Sequence, residues 1–415
     1  MRLLHTSDWH LGQEFHGHPR DHEHEAFLGW LGDALEEHRI DALIVAGDIY
    51  DSQNPPISAQ KQLYSFIVGI RARMTGLNIV LVGGNHDSAG RLEAPGPLLE
   101  PLGVRVVGSL MHAADGSLDV GRLTVPLCDG TGAVKAVCAA VPFLRLSDLP
   151  PANDDSVTDP LVWGVRQVYA EILDTVAQSL EPGQSLIATG HCYMTGCDLS
   201  ELSERRILGG NQHALPADIF PDVVTYAALG HLHKAQKVGG QERVRYSGSP
   251  LPLSVTERDY RHQVLLVDVD GPAATVTPLP VPRAVDIIRI PGRGAATPEE
   301  ALAALRALEA AADGPRALWP YLHVAVTADG PLPGLRRDVE EAIAGKGLRL
   351  ARIDKVDERP ASALAPKSLP DLEEVHPEEV FVQCWRGAYD SDPPAEMLDA
   401  FRELLEGLES DEVAA

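Results

Sequence analysis

Five polar clusters, each placed where a short apolar run ends, constrain this chain more than any other feature. They are Asp8-x-His10, Gly47-Asp48-x-x-Asp51, Gly84-Asn85-His86-Asp87, Gly190-His191 and Gly230-His231-x-His233. The runs that carry them (LLHTSD, DALIVAGD, NIVLVGGNHD, SLIATGH and VVTYAALGH) read as buried strands. Between them EHEAFLGWLGDALEEH places Phe27, Leu28, Leu31 and Leu35 at helical spacing, and AQKQLYSFIVGIRARM and VWGVRQVYAEILDTVAQSL repeat the pattern. Strands alternating with helices predict an α/β (α+β) fold. The clusters then fall at the carboxyl ends of strands, where ligands collect in open sheets. KAVCAAVPF, RVRYSGSP and HQVLLVDVD add strands. Two packed sheets flanked by helices and one mixed sheet both fit this periodicity.

The clusters supply a ligand set. Asp8, His10, Asp48, Asn85, His191, His231 and His233 offer two carboxylates, one amide oxygen and four imidazoles. That mixture suits manganese, iron or zinc, not calcium. Seven donors exceed what one ion needs if open positions remain. A shared carboxylate allows two ions, about 3.5–4 Å apart, to clamp the attacking and departing oxygens of a phosphate displacement. Alternation along a strand predicts that both members of Asp8-x-His10 and of His231-x-His233 face one side, with Trp9 and Leu232 turned away. Glycines before Asp48, Asn85, His191 and His231 let the backbone turn close to the ions. A lone D-x-H arises by chance, and a buried histidine is more often hydrogen-bonded than ligating. The joint occurrence and order of the clusters carry the reading. His16, His18, His22 and His24 in HGHPRDHEHE sit at no strand end and read as a solvated loop and helix start, not a third metal site.

GPAATVTPLPVPRA holds four prolines and reads as a linker or sheet edge. Beyond it, VDIIRI, TPEEALAALRALEAA, YLHVAVT, GLRRDVEEAIAG and LRLARIDKV predict a small α+β domain, with Thr297 and Glu300 as a capping box. The connector ERPASALAPKSLP leads to an acidic segment with a helical MLDAFRELLEGL. The expected domains are 1–275, 284–358 and 368–415. No stretch approaches the roughly 18 apolar residues of a membrane span. The start lacks the apolar core of a signal peptide, which predicts a cytoplasmic protein without membrane contact. Five cysteines, with no C-x-x-C pair, predict free thiols. The net charge is −25, and from Asp371 onward fourteen acids face two bases. So acidic a chain is not expected to grip nucleic acid unaided, because that binding relies on Lys and Arg at phosphates.

The order and spelling of the clusters resemble the calcineurin-like metallophosphoesterase superfamily. HTSDWHLGQ, EHEAFLGWL, DALIVAGDIYDSQNPP, GGNHDS, ALGHLHKAQ and RVRYSGSPLPLS are similar to the SbcD family, whose archaeal and eukaryotic counterparts are double-strand-break repair nucleases. The resemblance covers most of residues 1–270 and continues weakly through 285–357 and LPDLEEVHPEEVFVQ. It implies a two-sheet metallophosphoesterase sandwich and two divalent ions, manganese first and magnesium second. One ion would take Asp8, His10, Asp48 and His233, the other Asp48, Asn85, His191 and His231, with Asp48 bridging. A water acidified by the ions would be the nucleophile. His86 would lie outside the ligand set, over the scissile phosphate, protonating the leaving oxygen or stabilising its charge. The bacterial type has aspartate at position 51 where its counterparts have histidine. Phosphoprotein phosphatases of the superfamily use an aspartate at this spacing to orient the motif histidine. Asp51 is therefore expected to hydrogen-bond His86 and stabilise its protonated form, the competing reading being a turn-capping residue. Arg205 and Arg206 in SERRILGGNQH are candidates for substrate phosphates, or surface ion pairs with Glu204.

The resemblance further implies a 3′–5′ exonuclease on duplex DNA ends. The same site would cut single strands and hairpins as an endonuclease in repair, recombination and replication. The protein would act near the nucleoid as a homodimer within a heterotetramer. Its partner would be an SbcC-type coiled-coil ATPase that shares the DNA, which accommodates the acidic charge. The segment Pro394–Leu408 would dock on that partner, and the 285–357 domain would cap the DNA groove. Two other functions compete. A phosphatase or small-diester phosphodiesterase could use the same ions, but Asp51-Ser52-Gln53 replaces the D-R-G of protein phosphatases. A non-catalytic assembly protein would have lost a ligand, and all seven are present.

Overall fold

Alternation along the strand Ala42–Ala46 sorts its side chains between two cores. Ala42, Ile44 and Ala46 join one apolar cluster, Leu43 and Val45 another. Asn78–Val82 divides the same way, with Val80 and Val82 on one face and Ile79 and Leu81 on the other. Strands buried on both faces need a layer on each side. This computed structural model describes residues 1–152, 157, 159–200, 214–310, 314–328 and 332–356, together with Phe381, Val382, Trp385, Pro393, Pro394, Met397, Leu398 and Phe401.

The layers are two six-stranded sheets with helices outside. One sheet runs in the order Ala273–Pro280, Gln263–Asp270, Arg2–Thr6, Ala42–Ala46, Asn78–Val82, Val104–Val107. The other runs Gln236–Val238, Gln241–Tyr246, Val224–Gly230, Ser185–His191, Val134–Ala139, Thr124–Cys128. The central strands of each are parallel, so their carboxyl ends emerge on one side; antiparallel strands close both edges of the second sheet and one edge of the first, whose other edge strand, Val104–Val107, runs parallel to its neighbour. Two packed sheets, not one mixed sheet, therefore account for the periodicity. Helices Asp21–Glu37 and Ile57–Arg73 cover the outer face of the first sheet with Phe27, Leu28, Leu31, Leu35, Leu63, Ile67 and Ile70. Each such buried Leu or Ile contributes about 1.5–3 kcal/mol of transfer free energy. Helix Pro160–Gln178 begins at Asp159, whose carboxylate accepts from the amides of Leu161 and Val162, and buries Val168, Ile172, Leu173 and Val176.

The middle of the four-proline stretch becomes the edge strand Ala273–Pro280, where the missing amide donors of Pro278 and Pro280 are tolerated. Beyond it a parallel sheet of Ile287–Ile290, Tyr321–Thr327 and Arg349–Val356 carries helices Pro298–Ala307 and Leu335–Ala342 on its own core of Leu305, Leu322, Val324, Val339 and Leu350. The Thr297–Glu300 capping box forms. A smaller cluster of Phe15, Val255, Val285, Ile287, Tyr321 and Ala351 joins this sheet to the sandwich. There the Tyr321 hydroxyl donates to Glu23 at 2.6 Å, and Glu23 also receives buried Arg20 at 2.9 Å.

The chain divides into Met1–Val356 and Asp357–Ala415. In the second unit the Phe381 ring stacks on Phe401 with centroids 4.4 Å apart. Most of the expected docking helix Pro394–Leu408, and Cys384, lie outside the described residues. Cys128, Cys138, Cys192 and Cys197 are free. Among the described residues no helix is long and apolar enough to cross a membrane.

The histidine-rich stretch 16–24 departs from a solvated loop. His24 is fully buried and His16 and His18 are half-buried, with His18 bonded to the Leu350 carbonyl of the small sheet at 2.9 Å. No metal-ligand grouping forms there among the described residues.

Candidate metal centre

All five clusters lie at the carboxyl ends of central strands, and the two sheets bring them together. Asp8, His10 and His233 place ligand atoms within 4.8 Å of one another, as do Asp48, His191 and His231. Asp48 lies between the groups: its Oδ2 is 3.7 Å from Nε2 of His10 and 3.2 Å from Nε2 of His191. Asn85 completes the second group, its Oδ1 lying 2.9 Å from Nε2 of His191 and 3.1 Å from Nδ1 of His231. The six charged or ionisable members are all buried.

The backbone turns that aim these side chains are costly. Asp8, His10, Asp48 and His231 have φ of 54°, 47°, 48° and 102°, in the left-handed region that L residues avoid. Strand alternation is thus not what puts Asp8 with His10, or His231 with His233. The strands have already ended, and left-handed turns aim the side chains instead. Trp9 and Leu232 still turn away, each into a core. The Asp8 amide donates to the Gly47 carbonyl and the His10 amide to the Asp48 carbonyl, both at 3.0 Å, which locks the first two clusters together. Gly47 has φ of 95°, and a Cβ there would run into the His191 ring. At Gly84 a Cβ would overlap Asp48.

Three of the four candidate ligand histidines are oriented from behind. Nδ1 of His10 bonds Asp51 at 3.0 Å, Nδ1 of His191 the Ala46 carbonyl at 2.9 Å, and Nδ1 of His233 the buried Glu257 carboxylate at 3.0 Å. Such partners fix the tautomer and leave the other nitrogen to a metal. Asp87 ties two turns together, accepting from the amides of Ile49, Tyr50 and Gly84. Asp87 stands in the Gly84–Asp87 cluster, but the role of Glu257 has no local signal in the sequence. Glu257 stands 24 residues from His233, in the run SVTERD, which carries no motif.

The expected Asp51–His86 side-chain bond does not form. The Asp51 carboxylate is spent on His10, and Nδ1 of His86 instead donates to the Asp51 backbone carbonyl at 2.8 Å. The turn after Asp48 points the carboxylate toward the His10 ring and the carbonyl toward His86. The His86 ring still packs edge-on against His10, with centroids 4.8 Å apart, at the margin of the donors. Arg205 and Arg206 lie outside the described residues.

The donors fit a pair of divalent cations. Nε2 of His10 is buried without a hydrogen-bond partner, an expensive state that a cation would relieve. Burial raises the Asp8 carboxyl above its ordinary range. Burial also opposes charge on His191, yet Asp48 and Asp8 lift it to about 9, whereas burial and the neighbouring His191 lower His231 to about 3. Two buried carboxylates thus hold positive charge tightly at one point.

Comparison with known proteins agrees with this geometry. Residues 1–235 match the calcineurin-like phosphoesterase family, and residues 283–389 match the family described as type 5 capsule protein repressor C-terminal domain. The chain is 41% identical over 389 residues to the SbcD subunit of nuclease SbcCD from Rhodobacter capsulatus, covering 93% of this chain and 94% of that one. It is 34% identical over 388 residues to the SbcD subunit of nuclease SbcCD from Escherichia coli K12, covering 92% of each.

Proposed function

This chain belongs to the SbcD family of calcineurin-like phosphoesterases, and from that membership we propose that it is the metal-dependent DNA nuclease subunit of an SbcCD-type complex, hydrolysing phosphodiester bonds. The observation that carries the reading is the convergence of seven donors from five strand ends in a chain alike to its relatives over nearly its whole length.

One ion is assigned to Asp8, His10, Asp48 and His233 and the other to Asp48, Asn85, His191 and His231. The mixed nitrogen and oxygen donors suit manganese, iron or zinc, and the family resemblance puts manganese first. Bound there, the ions supply Lewis acidity and an acidified water nucleophile. The protein's own residues do the rest. Because a carbonyl can only accept, the bond to Asp51 places a proton on Nδ1 of His86 and fixes the ring at the margin of the donors. From there His86 donates to the leaving oxygen or stabilises its charge. Arg205 and Arg206 are proposed to hold flanking phosphates. The acidic chain shares its DNA with an SbcC-type ATPase, on which the C-terminal segment docks, and the 287–356 sheet borders the DNA. Exonuclease action from 3′ ends, hairpin cutting and a homodimeric core belong to the same proposal.

The test is purification with and without the ATPase partner, followed by end-labelled duplex and hairpin DNA and a model nucleotide diester in manganese or magnesium. Metal-dependent cutting of both DNAs, lost in His86→Ala, is expected. Hydrolysis of the small diester without DNA cleavage would assign a short-substrate phosphodiesterase instead.

A further inference from the structure

Glu257 is fully buried at the end of the short turn Val255–Glu257. Its Oε1 lies 3.0 Å from Nδ1 of His233, and its Oε2 accepts the Leu253 amide at 2.8 Å. An ionised carboxylate only accepts, so the imidazole proton sits on Nδ1 and the lone pair on Nε2. His233 groups with Asp8 and His10. Without a partner behind it, a histidine just past a strand end is free to rotate out of ligating geometry.

The segment before Glu257 is held at three further points. The Pro252 carbonyl accepts from Arg20 at 2.7 Å, and the Leu253 carbonyl accepts from Gln13 at 3.2 Å. Val255 packs with Phe15, Val285, Ile287, Tyr321 and Ala351, so it touches the small sheet directly. Tyr321 also reaches Glu23, which pairs with Arg20. One short stretch of backbone therefore touches the small sheet at Val255 and a candidate metal ligand at Glu257.

Resting on the metal-centre reading above, we propose that Glu257 is the positioning residue for His233, and that the segment Pro252–Glu257 transmits the seating of the 287–356 sheet to that ligand. Occupancy of one ion then depends on how this sheet is docked, while the ion assigned to Asn85, His191 and His231 is insulated from it.

The experiment is equilibrium dialysis of the full chain against manganese, with a melting curve for each variant. Wild type is expected to bind two ions. In Glu257→Ala the affinity for one ion should fall about 10–100-fold with the second ion retained, as when a histidine ligand loses its supporting carboxylate. Glu257→Gln keeps an oxygen for the Nδ1 proton and should fall less. Val255→Ala should weaken the same ion. Wild-type affinity in Glu257→Ala overturns the proposal, as does a Glu257→Gln no better than Glu257→Ala. If Glu257→Ala does not fold, unchanged affinity in Glu257→Leu, which keeps bulk but offers no acceptor to Nδ1, overturns the positioning role. Wild-type binding in Val255→Ala overturns the transmission from the small sheet. A wild-type chain that binds no manganese defeats the metal-centre reading itself, a distinguishable result.

Discussion

The carboxylate of Asp51 lies 3.0 Å from Nδ1 of His10, while its backbone carbonyl holds Nδ1 of His86 at 2.8 Å. One residue thus orients two histidines through different groups, and a side-chain substitution separates them. Asp51→Ala should raise the manganese concentration for half-maximal rate about 10–100-fold. At saturating manganese turnover should stay near wild type, because the carbonyl that holds His86 remains, while the limb of His86 moves to lower pH with the loss of the carboxylate charge within 4.8 Å of that ring. Turnover at saturating metal as low as in His86→Ala would show that the carboxylate, not the carbonyl, positions His86.

His86→Ala should separate chemistry from metal binding. Removing a general acid lowers turnover by about 10²–10⁴-fold. Manganese stoichiometry should stay at the wild-type value, since the donor set needs no atom of His86. Single-turnover cleavage alongside metal analysis checks both halves, and loss of an ion would make His86 a ligand.

Gly47→Ala should damage both stability and the site. The left-handed φ alone costs about 1–3 kcal/mol for a non-glycine residue, and the new methyl would strike the His191 ring. Gly17→Ala is the control, with φ of 80° and open space around the new carbon. Urea unfolding should show the larger loss in Gly47→Ala, and only that variant should bind manganese weakly.

His5 makes stability depend on pH. Burial lowers its pKa to about 3 despite the Leu229 carbonyl, and its other nitrogen meets the Tyr226 hydroxyl at 2.8 Å. The unfolded chain therefore takes the proton first. The contribution is full above the unfolded value of 6.5 and is lost as pH falls from there toward 3, by up to about 1.4 kcal/mol per pH unit. His5→Gln removes one such proton from the balance. In metal-free urea titrations from about pH 7.5 to 4.5, the stability gap between wild type and variant should be constant above about pH 7 and shrink below the unfolded value. Parallel curves would mean that His5 does not titrate in this way.

Much of the fold and the donor set is written in local pattern. The unbroken apolar run Ala42–Ala46 marked a buried strand, and Phe27, Leu28, Leu31 and Leu35 marked the helix that covers it. The seven candidate donors were visible because each follows an apolar run, and the capping box at Thr297 and Glu300 was visible because both halves lie three residues apart. His24 escaped this logic. Its polar spelling suggested solvent, but its helix face looks inward.

The residue string by itself determined which segments become strands and helices and which side chains stand at strand ends. Those properties depend on periodicity and on glycine, over a few neighbouring residues. Tertiary structure alone decided who partners whom. Asp51 meets His10 from 41 residues away, Glu257 meets His233 from 24, and the Ala46 carbonyl meets His191 from 145. These pairings depend on how two sheets are offset and on left-handed turns at Asp8, His10 and Asp48. A rotation of one peptide there exchanges a carboxylate for a carbonyl, and no local pattern encodes that choice.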